Sequence, residues 1–178
     1  MGMKDSVDIT LTDFVYAVVA GAAFQNIRPP LISYSNALVF ICFLVLVDDW
    51  VLYHSQAHVI KRNPRVFAAC LALDLLVLLL WYGASIEARQ GAVAITGFAL
   101  MFVFFYCATA LWEAIFLSRT KEQIRFVLDL ACASYFGLVA LFLWKGVFNP
   151  QSYWVLCLLV PLVILRIPIW RKLVLRSS

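Results

Sequence analysis

VFAACLALDLLVLLLWYGASI, from Val66 to Ile86, sets the class of this chain. A single charged residue, Asp74, interrupts an apolar run that is long enough, at about 1.5 Å per helical residue, to cross a hydrocarbon core of about 30 Å. Lys61, Arg62 and Arg65 precede it and Glu87 and Arg89 follow, so the run is framed as a membrane span is framed. Working outward, five more runs read the same way: Ile9–Ile27, Leu31–His54, Gly91–Ser118, Phe126–Lys145 and Tyr153–Trp170. The expectation is an all-α polytopic bundle of six transmembrane helices, one membrane domain over residues 1–178.

Composition agrees. Of 178 residues 65% are hydrophobic, the mean hydropathy is +0.94, and a water-soluble domain is excluded. The longest connection, Ser55 to Arg65, is too short to hold a soluble catalytic domain. Counting connections alternately, one side collects Lys4, Lys61, Arg62, Arg65, Arg119, Lys121, Arg125, Arg166, Arg171, Lys172 and Arg176. The other holds Arg28, Arg89 and Lys145. The positive-inside rule then makes both termini cytoplasmic. The net charge of +4 is spent on topology and on the anionic inner leaflet, so no nucleic-acid partner is expected.

Pro29-Pro30, Asn63-Pro64 and Asn149-Pro150 fall between spans, while Pro161 and Pro168 lie within the sixth and should bend it. Trp81, Tyr82, Trp144, Tyr153 and Trp154 read as an outer aromatic belt, and Trp50, Tyr53, Trp112 and Trp170 as an inner one. Cys42, Cys70, Cys107, Cys132 and Cys157, one in each of spans two to six, read as small buried thiols. With no CxxC spacing and two histidines, neither a disulfide framework nor a metal set is expected, and no cofactor. Nothing resembles a nucleophile–base pair or a Gly-rich phosphate loop, so no enzyme activity is indicated. Met1-Gly2 with Ser6 fits a loose myristoylation pattern. Asp5, Asp8 and Asp13 beside a single Lys4 carry the wrong charge for a signal peptide, so the first helix is expected to be retained.

Ionisable groups inside a bilayer are costly, and each is a functional candidate. Here they are Asp13, Asp48, Asp49, Asp74, Glu113, Asp129 and Arg166, with His54 at an inner helix end. Every acid falls within about 12 Å of the inner end of its span at about 1.5 Å per residue, which predicts a polar inner layer. Functionally, such a layer is a hydrated, cation-attracting vestibule or a proton relay. Structurally, it is a network in which Arg166, Arg125 and His54 neutralise acids and lock helices together. Arg166 is expected to pair with Glu113 or Asp48, and Arg125 with Asp129 four residues on. Asp48 and Asp49 are about 100° apart around their helix and cannot both face one cavity. On the fourth span, Tyr106, Thr109, Ala110 and Glu113 form a polar strip expected to pack on another helix.

On the first span Thr12, Tyr16, Val19, Ala23 and Asn26 form one stripe at helical spacing, with Ala17 and Gly21 a small-xxx-small pair beside it. A helix this rich in small residues is expected to be central and protein-packed. As a pore wall, it would make Val19 a dewetting constriction.

The segment Leu11-Thr12-Asp13-Phe14-Val15-Tyr16-Ala17-Val18 resembles the Phe-Ser-Asp-Ala-Val-Phe-Ala-Ile signature of the lysosomal potassium channel family and its bacterial relatives. A second similarity is Asp49-Trp50-Val51-Leu52-Tyr53-His54, where that family carries Trp and His. Val7 stands where the family has Arg. The resemblance implies four subunits around a potassium-type pore lined by the first helix. It would make Asp13 the anchor of that helix, His54 its neighbour, and Val19 the constriction. A homo-oligomeric cation channel in a bacterial inner membrane, with a monovalent cation and the lipid bilayer as its partners, is therefore the leading expectation. Two alternatives stay open: a proton- or ion-coupled transporter with Asp74, the deepest acid, as carrier, and a non-transporting subunit that docks a partner through its basic loops.

The span map predicts that reporters placed at Arg28, Arg89 and Lys145 register the outer side of the membrane. Cysteine labelling or reporter fusions at those three positions check it, and a cytoplasmic signal at any one overturns the map.

Overall fold

A computed structural model of the chain describes residues 3–25, 27, 29, 30, 32–56, 64–116 and 123–150, with side chains from residue 13 onward except at 52–56, 64–67, 116 and 123–125. These residues form five α-helices: α1 (Met3–Phe24), α2 (Tyr34–Gln56), α3 (Pro64–Gln90), α4 (Ile95–Phe116) and α5 (Gln123–Trp144). A short 3-10 turn, Gly91–Ala94, joins α3 to α4. No strand occurs among the described residues.

Three helical stretches are long and apolar enough to cross a membrane: Tyr34–Val51, Ala68–Ile115 and Phe126–Trp144. The chain is thus compatible with a multi-pass integral membrane protein in contact with a lipid bilayer. The middle stretch is one run by composition and two helices by structure, because the backbone reverses at Gly91. Its φ of +68° lies in the left-handed region, where a side chain would be strained. The Ser35 hydroxyl, reaching over from α2, lies 2.8 Å and 3.0 Å from the Ala88 and Arg89 carbonyl oxygens and supplies a donor to the helix end. Of the first expected span, Ile9–Ile27, the described side chains give an apolar helical stretch Asp13–Phe24, about 18 Å at about 1.5 Å per residue, inside the longer α1. The sixth, Tyr153–Trp170, lies outside the described residues.

Helix ends also differ from those expected, for local reasons. Helix α2 starts at Tyr34 rather than Leu31, because the Ser33 hydroxyl accepts the Asn36 backbone N–H at 3.2 Å and caps the first turn. The Asn36 side chain then ties back to the Pro30 carbonyl at 3.0 Å. Helix α5 ends in a Schellman motif. The Val147 N–H donates to the Phe142 carbonyl at 2.9 Å and the Gly146 N–H to that of Leu143 at 3.1 Å, with Gly146 at φ +69°.

Neighbouring helices run antiparallel. Between α1 and α2, Asp13 meets Trp50 while Phe24 meets Phe43. Between α2 and α3, Ser35 meets Ala88 while Cys42 meets Trp81. Cys70 meets Trp112 across α3 and α4, and Glu87 lies against Gly97, where an added Cβ would sit 2.8 Å from a carboxylate oxygen. Helices α4 and α5 pack along their length, and a six-residue connection between them spans at most about 25 Å, less than the helix it would have to retrace in a parallel arrangement.

The core is aromatic. Phe98, Phe102 and Tyr106 stack up one face of α4, and Phe136 of α5 lies 5.1 Å from Phe102 and 5.7 Å from Tyr106 between ring centroids. Lipid tails are as apolar as these side chains, so close packing rather than burial from water holds such helices together. Trp81 and Trp112, expected in the aromatic belts, are buried within the chain, and their indole N–H groups donate to the Cys42 carbonyl and the Cys70 sulfur. Trp50 and Trp144 are exposed, with Lys145 over the Trp144 ring at 5.3 Å. Of the described cysteines, Cys107 is exposed and the other three are buried.

Phe136→Ala should cost about 3 kcal/mol by opening a void beside two stacked rings, whereas Phe104→Ala, on the exposed side of the same α4, should cost under about 0.5 kcal/mol. Unfolding of each variant in mixed micelles measures the difference.

Candidate functional site: a carboxyl band across the bundle

The apolar stretches set a level. By sequence the apolar run of α1 begins at Ile9, that of α2 ends at His54, those of α3 and α4 begin at Val66 and end at Ser118, and that of α5 begins at Phe126. Asp13, Asp49, Asp74, Glu113 and Asp129 all lie within about 12 Å of those limits, at about 1.5 Å per residue. Because neighbouring helices alternate, the five limits fall at the same end of the bundle. The acids form one band.

Two bonds of opposite sense join α1 to α2. The Tyr16 hydroxyl donates to Asp49 Oδ2 at 2.6 Å, and Trp50 Nε1 donates to Asp13 Oδ1 at 2.9 Å. Asp13 and Tyr16 share a face of α1 because they are three apart, and adjacent Asp49 and Trp50 reach them from α2. With a donor and an acceptor on each helix, sliding α1 by one turn would break both. Asp48 points elsewhere on α2 and is partly buried.

The band continues into α3 and α4. Cys70 and Asp74 share a face four residues apart; the thiol lies 3.8 Å from Asp74 Oδ2 and Trp112 Nε1 donates to the Cys70 sulfur at 3.1 Å. A thiol both accepts and donates, so this is a continuous donor–acceptor series from indole to carboxyl. Asp49 lies near enough to Asp74 for their charges to interact, which links α2 to α3.

Register carries the band to α5. Glu113 follows Tyr106 by two helical turns, and Asp129 precedes Phe136 by two turns. Tyr106 and Phe136 are stacked on antiparallel helices, so Glu113 and Asp129 descend together to one level. Both are buried, with 7% and 1% of their surfaces exposed, and Asp74 matches them at 7%. Thr109 and Ala110 are buried with them, as expected of a strip facing another helix.

The first-helix stripe has a different setting from the one expected. Tyr16 and Ala23 are buried in the chain's own core, and Val19 packs against that core. The exposed face of α1 is Phe14, Ala17, Val18 and Gly21, and no atom lies within 4 Å of a Cβ built on Gly21. Among the described residues, α1 packs chiefly against α2 and α3. Periodicity identified one stripe but could not say which neighbour it meets. The side chains of Thr12, His54 and Arg125, and the residues Asn26 and Arg166, lie outside those described.

Trp50, Trp112 and Cys70 were not candidates from sequence. Tryptophan near a helix end reads as an interfacial anchor and a lone cysteine as an inert filler. The available signal was the four-residue spacing of Cys70 and Asp74. Among the described residues, no group of three or more His, Cys, Asp or Glu side chains is arranged to hold a metal ion.

Compared with known protein families, curated proteins and solved structures, the chain matches none. Its function is therefore argued from the band alone.

A double-mutant cycle of Tyr16→Phe and Asp49→Asn should return a coupling of about 1–2 kcal/mol, the range for a hydrogen bond to a carboxylate inside a membrane protein. Unfolding of the four proteins in mixed micelles measures it, and additive effects would remove the bond from the register of α1.

Proposed function

We propose that this chain is a cation-coupled membrane transporter working through its carboxyl band, with Asp74 as the carrier. The observation that carries the reading is the burial of three carboxyls, Asp74, Glu113 and Asp129, at one level on three successive helices. Removing a carboxylate from water costs several kcal/mol, so each is either charged and met by cations or hydrogen-bond donors, or holds a proton. Exchange between those two states is what ion coupling requires. Asp74 is the member with a donor series leading to it and with a second carboxyl, Asp49, in electrostatic range. A cation arriving there is attracted by both.

The channel reading places a potassium-type pore along the first helix of an oligomer. What supports it is the exposed small-residue face of α1, which a second copy could approach. Such a pore would be lined by Phe14, Ala17, Val18 and Gly21, because Tyr16 and Ala23 already contact the chain's own core. A passive pore and a coupled carrier separate cleanly in vesicles.

Proteoliposomes holding a pH-sensitive dye should show proton movement against its gradient when a sodium or potassium gradient is imposed. Asp74→Asn should abolish that movement while the protein keeps its melting temperature. Cation flux that only follows its own gradient, undiminished in Asp74→Asn, would instead support the pore.

A further inference from the structure

A groove of about 220 Å³ opens between α1 and α2, lined by Asp13, Ala17, Ala20, Leu46, Val47 and Trp50, among others. Its volume equals roughly seven water-sized groups of about 30 Å³ each, a short length of hydrocarbon chain. The groove is amphipathic along its axis. Its upper part, between Ala20 and Phe43, is apolar on both sides. Its lower end carries the Asp13 carboxylate and the Trp50 indole, joined by their 2.9 Å bond.

The lower end also lies close to a boundary. In the sequence Asp13 stands four residues from the start of its apolar run at Ile9 and Trp50 four from the end of its run at His54, so the mouth lies about 6 Å inside that end of both runs, within reach of a lipid headgroup. Small side chains on one wall, Ala17 and Ala20, give the groove its depth, and the exposure of Ala17, Val47 and Trp50 opens it to the surrounding bilayer. A carboxylate offers about four lone-pair sites to donors, and a tryptophan ring attracts a cation to its face. Charge and shape therefore ask for one ligand chemistry: an alkyl chain ending in an ammonium group.

We propose that this groove binds an aminophospholipid, with an acyl chain between α1 and α2 and the ammonium headgroup at Asp13 and Trp50. Such a lipid fills the space beside the most lightly packed helix of the described bundle and fixes its tilt against α2. The proposal is independent of transport through Asp74. It concerns the outer surface of the α1–α2 pair, not the buried acids.

The test uses the full-length chain in a mild detergent, offered equal amounts of phosphatidylethanolamine and phosphatidylglycerol with identical acyl chains, with bound lipid read by native mass spectrometry. The wild-type chain should retain the ethanolamine lipid about tenfold over the glycerol lipid. Asp13→Asn should bring that preference below about twofold while some lipid stays bound. Ala17→Trp, which fills the groove from α1, should remove both lipids, and Val47→Trp does the same from α2 if the first variant does not fold. Equal retention of the two lipids by the wild-type chain overturns the proposal, as does a preference that survives Asp13→Asn. So does a disulfide formed between Ala17→Cys and a cysteine introduced within 153–170, which would identify the occupant as this chain's own sixth apolar segment.

Discussion

Hydrocarbon offers no hydrogen bonds, so each polar group this chain carries into the membrane has to be met by another part of the chain. Most of the architecture follows from that constraint. The backbone satisfies itself as helices. Where a helix ends, a side chain or a glycine turn takes over: Ser33 and Asn36 at the start of α2, Ser35 at the end of α3, Gly146 and Val147 at the end of α5. The indoles obey the same rule. Trp81 and Trp112 lie in the interior because a carbonyl and a thiol there accept their N–H groups. Side chains that would anchor at an interface in another protein act here as internal ties between helices.

The carboxyl band is where the same constraint becomes chemistry. Five acids stand at one level, while aromatic and aliphatic packing already joins α3, α4 and α5. Each bond that steadies an acid also connects it to the next helix: Asp13 to Trp50, Asp49 to Tyr16, Asp74 to Cys70 and onward to Trp112. Among the described helices, α4 and α5 are joined most closely, where Phe98, Phe102, Tyr106 and Phe136 interlock, and α1 most lightly.

Much of this was legible in the residues themselves. Apolar length against bilayer thickness gave the helices, and the distance of each acid from one end of its run gave its level, because a rise of about 1.5 Å per residue converts sequence into depth. The strip Tyr106, Thr109, Ala110 and Glu113 could be assigned to a helix interface from spacing alone. These features are local: each depends on one helix and the solvent around it.

What only the tertiary structure decided is which faces meet. Tyr16 and Ala23 face inward in the chain, and Ala17 and Gly21 outward, although one helical period contains both sets. Trp112 had to be seen beside Cys70, forty-two positions earlier, before it could be read as a donor rather than an anchor. The alignment of Glu113 with Asp129 needed the stacked pair above them to set the register of α4 on α5. Sequence determined how deep each group lies, since depth is a property of one helix in a layered solvent. Partnership between helices is set by rotation and register, and those are fixed by packing across the whole bundle.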